Sequence, residues 1–498
     1  MGQSDFPVLS LIVFLPLAGA LASLVFFKKT QQAAVRWWAL LVSVVEFVVS
    51  LSLLFRWQIR GEMQFMDGPA TWIPELGISY HLGVDGISLF LVLLTTLLTM
   101  LAVLASWGFV AERERSYYFW LLLLETGCLG VFLALDTVLF YAFWEAVLVP
   151  MYFLIGRWGS ERRIYAALKF FLYTMAGSAL MLVAIIVLYF VGGSFNLLTL
   201  YDSPAIPTQL QTWLFLAFAL AFAIKVPLFP FHTWLPDAHV QAPAAGSVLL
   251  AGVLLKMGTY GFLRFCLPLF PEAAVSLAPL LAVLSIVGII YGALVALSQR
   301  DVKSLVAYSS ISHLGLVVLG IFVFNAQGMV GSVLQMINHG LSTGALFFLV
   351  GMLYTRRHTR LIEDFGGLWK KVPRFGLFLL IATLASIGLP GLNGFVGEFT
   401  ILVGTFKAER IYAVFAATGL VLGAWYMLTL IRRVMHGPLE NPANQELADL
   451  SIREVLVLVP ITLLFFVIGI FPGLLLDWME PSVMALLHQI GPTIVSLK

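Results

Sequence analysis

The chain has 498 residues, of which 61% are hydrophobic and only 11% charged, with mean hydropathy +0.99 and formal net charge +2. Soluble domains carry about 25% charged residues, so this composition excludes a water-soluble globular protein, and the near-neutral balance gives nucleic acid nothing to bind. Cys128 and Cys266 are the two cysteines; both lie in apolar runs, which excludes an iron–sulfur or zinc site by ligand number and argues against a disulfide framework.

Apolar windows of about 20 residues, each long enough to cross about 30 Å of hydrocarbon as a helix, recur from end to end. Fourteen spans are read, at 8–27, 37–56, 84–108, 117–135, 137–157, 164–192, 210–231, 241–267, 274–297, 302–324, 328–354, 376–405, 411–433 and 454–476. The first run follows Asp5 without a basic leader and reads as a span, not a cleaved signal. Spans 4 and 5 meet at Asp136 and Thr137 with almost no loop. The longest polar intervals, 57–83 and 434–453, are too short to bury a core of their own. After span 14, the stretch LDWMEPSVMALLHQIGPTIVSLK is interrupted by Pro481 and Pro492 and reads as an interfacial tail. The fold class is therefore an all-α polytopic membrane protein.

Nineteen lysines and arginines fall in one set of alternate loops and six in the other, with Lys169, Lys225 and Lys256 inside the membrane completing the 28. Basic residues accumulate on the cytoplasmic side. Both termini are therefore expected outside, on the periplasmic face of a bacterial inner membrane.

Four ionisable groups sit inside almost pure hydrocarbon: Glu145 in FYAFWEAVLVP, Lys225 in FALAFAIKVPLFP, Lys256 in VLLAGVLLKMGTYG and Glu398 in LNGFVGEFTILVG. Each costs about 2.5 to 3.5 kcal/mol on insertion scales and by default marks ion or proton handling with a partner nearby. Two of them stand beside breaks. Span 7 carries Pro227, Pro230 and Pro236 after Lys225, and span 12 carries Pro390 among Gly388, Gly391, Gly394 and Gly397 just before Glu398. Broken helices at mid-membrane mark ion paths, often at matching places in two inverted repeats. Five spans separate the two breaks, and five is odd, so helices 4–8 and 9–13 are expected to be an inverted pair. The domains are then 1–116, 117–267, 268–435 and 436–498.

A carboxylate 4 Å from an ammonium contributes about 4 kcal/mol at an effective dielectric of about 20, and about 2 kcal/mol at 8 Å. Moving Glu145 relative to Lys225 therefore changes the affinity for a proton enough to load or release it, with no redox group in this chain.

Around these residues the sequence resembles the antiporter-like subunits of proton-pumping NADH:quinone oxidoreductase (complex I), related to Mrp sodium/proton antiporters. The stretches that carry the resemblance are VFLALDTVLFYAFWEAVLVPMYFLIGRWG, KVPLFPFHTWLPDAHVQAPAAGSVLLAGVLLKMGTYGFLRF, QRDVKSLVAYSSISHLG, QMINHGLSTGALF and GLPGLNGFVGEF, and the likeness runs from about residue 7 to 475. It implies a coupled pair at Glu145 and Lys225, a central relay at Lys256 and a terminal group at Glu398, where glutamate resembles the M type and related subunits have lysine. It also implies relay roles for His313 and His339, whose side chain suits proton transfer near neutral pH, and an uptake role for Lys169.

The implied partners are the other membrane subunits, antiporter-like neighbours above all, with lipids around them and protons as the transported species. No dinucleotide, flavin or cluster motif is present, so NADH, FMN, iron–sulfur and quinone sites are expected on partner chains. The alternatives are an Mrp-type sodium/proton antiporter subunit, the membrane part of an energy-converting hydrogenase, or a structural scaffold. His232, Asp237 and His239 are too scattered to predict a metal. Lys303 beside Asp301 is expected in an ion pair at a helix start, and Glu46 and Glu125 in contact with a neighbouring helix or subunit.

Overall fold

The computed structural model describes residues 6–110, 112–202 and 206–496; Asp5 and Lys498, used in the leader and orientation readings, lie outside them. Among the described residues, thirteen helices are long and apolar enough to cross a bilayer. They are Val8–Phe26, Gln32–Phe55, Leu89–Ser106, Glu114–Leu133, Thr137–Trp158, Arg163–Gly192, Thr208–Lys225, Ala244–Leu269, Pro271–Ser298, Val302–Ile321, Ala326–Arg357, Arg410–Met435 and Ile452–Ile470. These are spans 1 to 11, 13 and 14. Span 12 is present as two shorter helices, Pro373–Ser386 and Asn393–Ala408, parted by a turn in which Gly388 and Gly391 have φ of +70° and +92°.

Burial sorts the spans into a centre and a periphery. Spans 8 and 11 bury every residue of their most apolar stretch, whereas spans 2, 6 and 14 bury a third of theirs. The peripheral helices expose large apolar side chains such as Phe190, Val48 and Leu463, which suits a lipid solvent. The central ones can carry polar groups because protein, not hydrocarbon, surrounds them.

An aspartate caps the start of spans 5 and 10. Asp136 accepts from the amides of Val138 and Leu139 at 2.9 and 3.2 Å, and Asp301 from those of Lys303 and Ser304 at 2.7 and 3.0 Å. Such caps satisfy donors that the helix start leaves free. Each also bridges to the loop after the following span, Asp136 to Asn196 and Asp301 to Leu361. The same device thus recurs five spans apart, on opposite faces.

Four features depart from the sequence reading. The interval 57–83 holds an antiparallel hairpin, β1 Gln64–Ile73 and β2 Ile78–Val84, so the chain is not wholly helical. Alternating apolar residues around Pro74–Gly77 carry that signal, and Gly77, at φ +68°, closes the turn. The hairpin is tied to span 1, where the amide and hydroxyl of Ser10 both donate to Asp67, at 2.7 and 2.8 Å.

The C-terminal stretch is one continuous helix, Gly473–Ser496, running through both prolines. A proline inside a helix costs about 3 kcal/mol. Contacts offset it here: Met479, Ser482, Val483 and Ile490 are buried, and Ser482 Oγ accepts from the Gly86 amide at 2.9 Å.

Span 8 is not a plain α-helix. Two π-helical turns, Leu250–Leu254 and Phe262–Cys266, flank the short α segment Leu255–Gly261 that carries Lys256. Such turns occur frequently at functional sites.

Asp301, finally, pairs with Arg360 at 3.1 Å, not with Lys303. The Lys303 ammonium turns inward and donates to the Ala242 carbonyl at 2.5 Å.

Candidate functional site

Lys225 is the last residue of the first half of span 7, and the chain resumes as a helix at Trp234–Gln241. The Ile224 carbonyl near the break accepts from the Trp234 indole at 2.8 Å. A helix end of this kind presents partial negative charge, which suits a cation. The Lys225 ammonium is fully buried and has no hydrogen-bond partner, but lies 5.2 Å from the centroid of the Trp144 ring and 5.6 Å from that of Phe170. Glu145 follows Trp144 directly. It is half-buried, one carboxylate oxygen is unpartnered, and its charge lies within electrostatic reach of Lys225, although no ion pair within 4.0 Å joins them. The expected pair is thus brought together around a tryptophan, without direct contact.

Lys169 stands on span 6 and meets Asp237 of the resumed helix at 2.7 Å. Tyr173, one turn on, is 3.0 Å from the Thr233 hydroxyl. These two contacts dock the second half of span 7 onto span 6.

Lys256 occupies the centre. Its ammonium donates to the Ala251 carbonyl, within the first π-helical turn, and lies 2.7 Å from Nδ1 of His339 on span 11. The His339 and His313 rings are 5.8 Å apart, centroid to centroid. On span 10, His313 Nδ1 lies 3.0 Å from Oε1 of Glu398, and Gln335 Nε2 donates to the same oxygen at 3.1 Å. Lys256, His339 and Glu398 are each at most 2% exposed. Four residues of the sequence reading, Lys256, His339, His313 and Glu398, therefore form one line of side chains across four helices.

The break in span 12 is what lets Glu398 reach this line. At Gly388 an added Cβ would come within 2.6 Å of Glu398 Oε2, and at Gly397 within 2.3 Å of Gln335 Oε1. Only glycine leaves room there for the carboxylate and its amide donor. Asn338 Nδ2 donates to the Asn393 carbonyl at 2.7 Å, tying the second half of span 12 to span 11. A cavity of about 10 Å³ lies beside His313, Glu398, Ser312 and Ser386.

Sequence reasoning did not place Gln335, Asn338 or His239 on the site. Gln335 and Asn338 stand one turn and one residue before His339, which is the signal that was available. His239 is fully buried, stacks on Phe347 at 4.5 Å, and has Lys303 and Lys256 as the cations within electrostatic reach. Lys303 lines a second cavity of about 300 Å³ with Trp158, Tyr354, His358 and Arg360. Among the described residues, no group of three or more His, Cys, Asp or Glu is placed to hold a metal ion.

Glu46 and Glu125 are buried on spans 2 and 4; the Glu46 carboxyl has no hydrogen-bond partner, Glu125 has the Thr99 hydroxyl nearby, and the two lie within electrostatic reach of one another. They stand apart from the line just described.

Residues 134–423 match the family model described as NADH:quinone oxidoreductase/Mrp antiporter, TM. The NADH-quinone oxidoreductase subunit M of Rhodobacter capsulatus is 47% identical over 498 aligned residues, covering 97% of this chain and 96% of that protein. A chain of the respiratory complex I of Thermus thermophilus with bound NADH superposes with a TM-score of 0.89 at 32% identity, covering 97% of this chain and 100% of that one. The Mrp complex of a Dietzia species gives 0.85 at 20% identity over 98% of this chain and 100% of that one, a likeness of fold alone.

Proposed function

As this chain belongs to the NADH:quinone oxidoreductase/Mrp antiporter family, we propose that it moves protons across the membrane through Glu145, Lys225, Lys256, His339, His313 and Glu398. It is a proton-translocating, multi-pass membrane subunit of an NADH:quinone oxidoreductase, one chain of a multi-subunit complex. The redox groups, FMN, iron–sulfur clusters and quinone, belong to partner chains, and antiporter-like neighbours flank this one. The membrane is a bacterial inner membrane with both termini on the outer side, in keeping with the loop charges.

The observation that carries the reading is the line from Lys256 through His339 and His313 to Glu398, with contacts of 2.7 and 3.0 Å at its two ends and the ring pair between. Proton transfer needs groups within hydrogen-bond reach directly or through one water. The two ends meet that condition as they stand. Between the rings, the Nε2 atoms of both histidines have no partner, so a ring rotation or one bridging water completes the step.

Entry from the cytoplasmic side runs from the cavity at Lys303 past His239 to Lys256. Lys169 acts by holding the broken helix in place through Asp237. Glu145 acts on Lys225 through the field across Trp144: closing or opening that gap changes the ammonium's proton affinity by an energy of the order of 2 kcal/mol. The helices 4–8 and 9–13 form the two inverted repeats, an assignment supported by the paired breaks and by the aspartate caps five spans apart.

The test is Glu145→Gln in the assembled complex, reconstituted in vesicles. NADH-driven acidification should fall strongly while the complex stays intact. Undiminished acidification would refute the pump reading and leave a scaffold.

A further inference from the structure

A cavity of about 630 Å³ lies away from the proton line, on the face that carries the hairpin. Its walls come from separate pieces of chain: the segment after span 2, the turn before span 3, the end of span 8 and the C-terminal helix. Pockets of roughly 300 to 1,000 Å³ are of ligand size.

At its floor is Arg264, 7% exposed. Its Nε donates to the Tyr260 hydroxyl at 3.1 Å, and its Nη2 lies 2.7 Å from Asp85 Oδ1. That oxygen also accepts from the amides of Ile87 and Ser88. The buried guanidinium is thus held in place by Asp85 and Tyr260 among the cavity-lining residues. Arg56 and Arg60 stand exposed at the rim. With Glu62 and Asp85 as the acidic lining residues, the charged groups leave a balance of one positive charge.

Part of the remaining wall is apolar, formed by Met63, Phe65, Ile87, Leu198, Leu263 and Leu486, with polar side chains such as Gln58, Gln64 and Gln489 between. Beside it, Trp57 stacks on Phe65 at 6.2 Å and on Trp478 at 6.0 Å. Tryptophans gather at headgroup depth in membrane proteins. A phosphodiester carries one negative charge and, in a lipid, an acyl chain that would cover this wall. A free phosphate would leave the wall bare.

We propose that this cavity binds the headgroup of an anionic phospholipid, with Arg264, Arg56 and Arg60 around its phosphodiester and the apolar wall against the start of one acyl chain. The arginines supply planar, charge-assisted donors suited to phosphate oxygens.

The test uses the whole delipidated complex in phosphatidylcholine vesicles with a small fraction of spin-labelled phosphatidylglycerol, the immobilised label being read by electron paramagnetic resonance. The double variant Arg56→Gln/Arg60→Gln should bind about thirtyfold more weakly, at about 1 kcal/mol for each arginine near the surface. Ala485→Trp, which fills the cavity without touching a charge, should release the same label. Spin-labelled phosphatidylcholine should respond to neither, and NADH oxidation should be unchanged in both variants, which reports that the complex is intact. Equal retention of the anionic label by wild type and both variants overturns the proposal. Displacement of the label by inorganic phosphate alone also overturns it, in favour of a soluble-anion site.

Discussion

The ammonium of Lys256 and Nδ1 of His339 lie 2.7 Å apart on two helices whose most apolar stretches are wholly buried. At that distance one atom donates and the other accepts. The pair therefore shares a single proton position, either on the lysine facing a bare Nδ1 or on Nδ1 facing an amine. With the Ala251 carbonyl as its other acceptor, Lys256 can change partner by a small rotation inside the π-helical turn.

Replacing His339 by glutamine preserves a donor and acceptor but removes the titrating ring. A positioned acid–base group is worth about 10² to 10⁴ in rate. Proton pumping by the reconstituted complex should fall at least about a hundredfold while assembly, read on a native gel, is retained. Pumping near the wild-type rate would remove His339 from the route.

Gly397→Ala would drive a methyl group toward Gln335 Oε1 and turn the amide away from Glu398. Overpacking of this kind costs about 1 to 3 kcal/mol. The expected outcome is a lowered thermal midpoint with reduced pumping, and partial recovery when Gln335→Ala is added to make room. No recovery in the double variant would show that the glycine serves something other than this approach.

Lys169 and Asp237 are part-exposed, so their pair is expected to be worth about 0.2 to 1 kcal/mol. Its effect should appear as coupling: Lys169→Ala and Asp237→Ala should each slow pumping, and the double variant should be no slower than either alone. Additive losses, measured by the same vesicle assay, would mean that the two residues act separately.

His81 lies in the hairpin, outside the spans, with Nδ1 2.8 Å from the Asn196 side-chain amide. Burial pushes its pKa below the ordinary value of 6.5, against the opposing pull of Asp136. The neutral ring is thus the one the fold favours. Its contribution is full above about pH 6.5 and is lost as pH falls below that value, because the unfolded state takes up the proton first. The protection of the hairpin amides, corrected for the intrinsic exchange rate at each pH, should therefore fall on acidification from pH 7 to 5 in wild type, and less so in His81→Gln. Identical pH dependence in both would contradict the assignment.

Much of the fold was legible because hydrocarbon demands long apolar windows: span 12 alone is not one long helix, and it is parted at Gly388 and Gly391, where the sequence had marked a break. The hairpin was not legible in a scan for 20-residue windows, since strands of ten and seven residues leave only a short alternating trace. The four intramembrane charges announced themselves by their cost. What the sequence could not supply was which of them touch. Lys303 shows why: its neighbour Asp301 is taken by helix amides and Arg360, contacts that depend on a loop 59 residues away. The π-helical turns around Lys256 have no pattern in composition, because they widen a helix without changing its apolar period.

The most direct measurement is the number of protons moved per NADH oxidised in vesicles by the complex carrying Lys256→Met, which keeps the bulk of the side chain and removes its proton. A buried route centred on Lys256 requires that number to fall sharply in an assembled complex. A wild-type ratio in this variant would mean that protons cross without passing the Lys256–His339 contact.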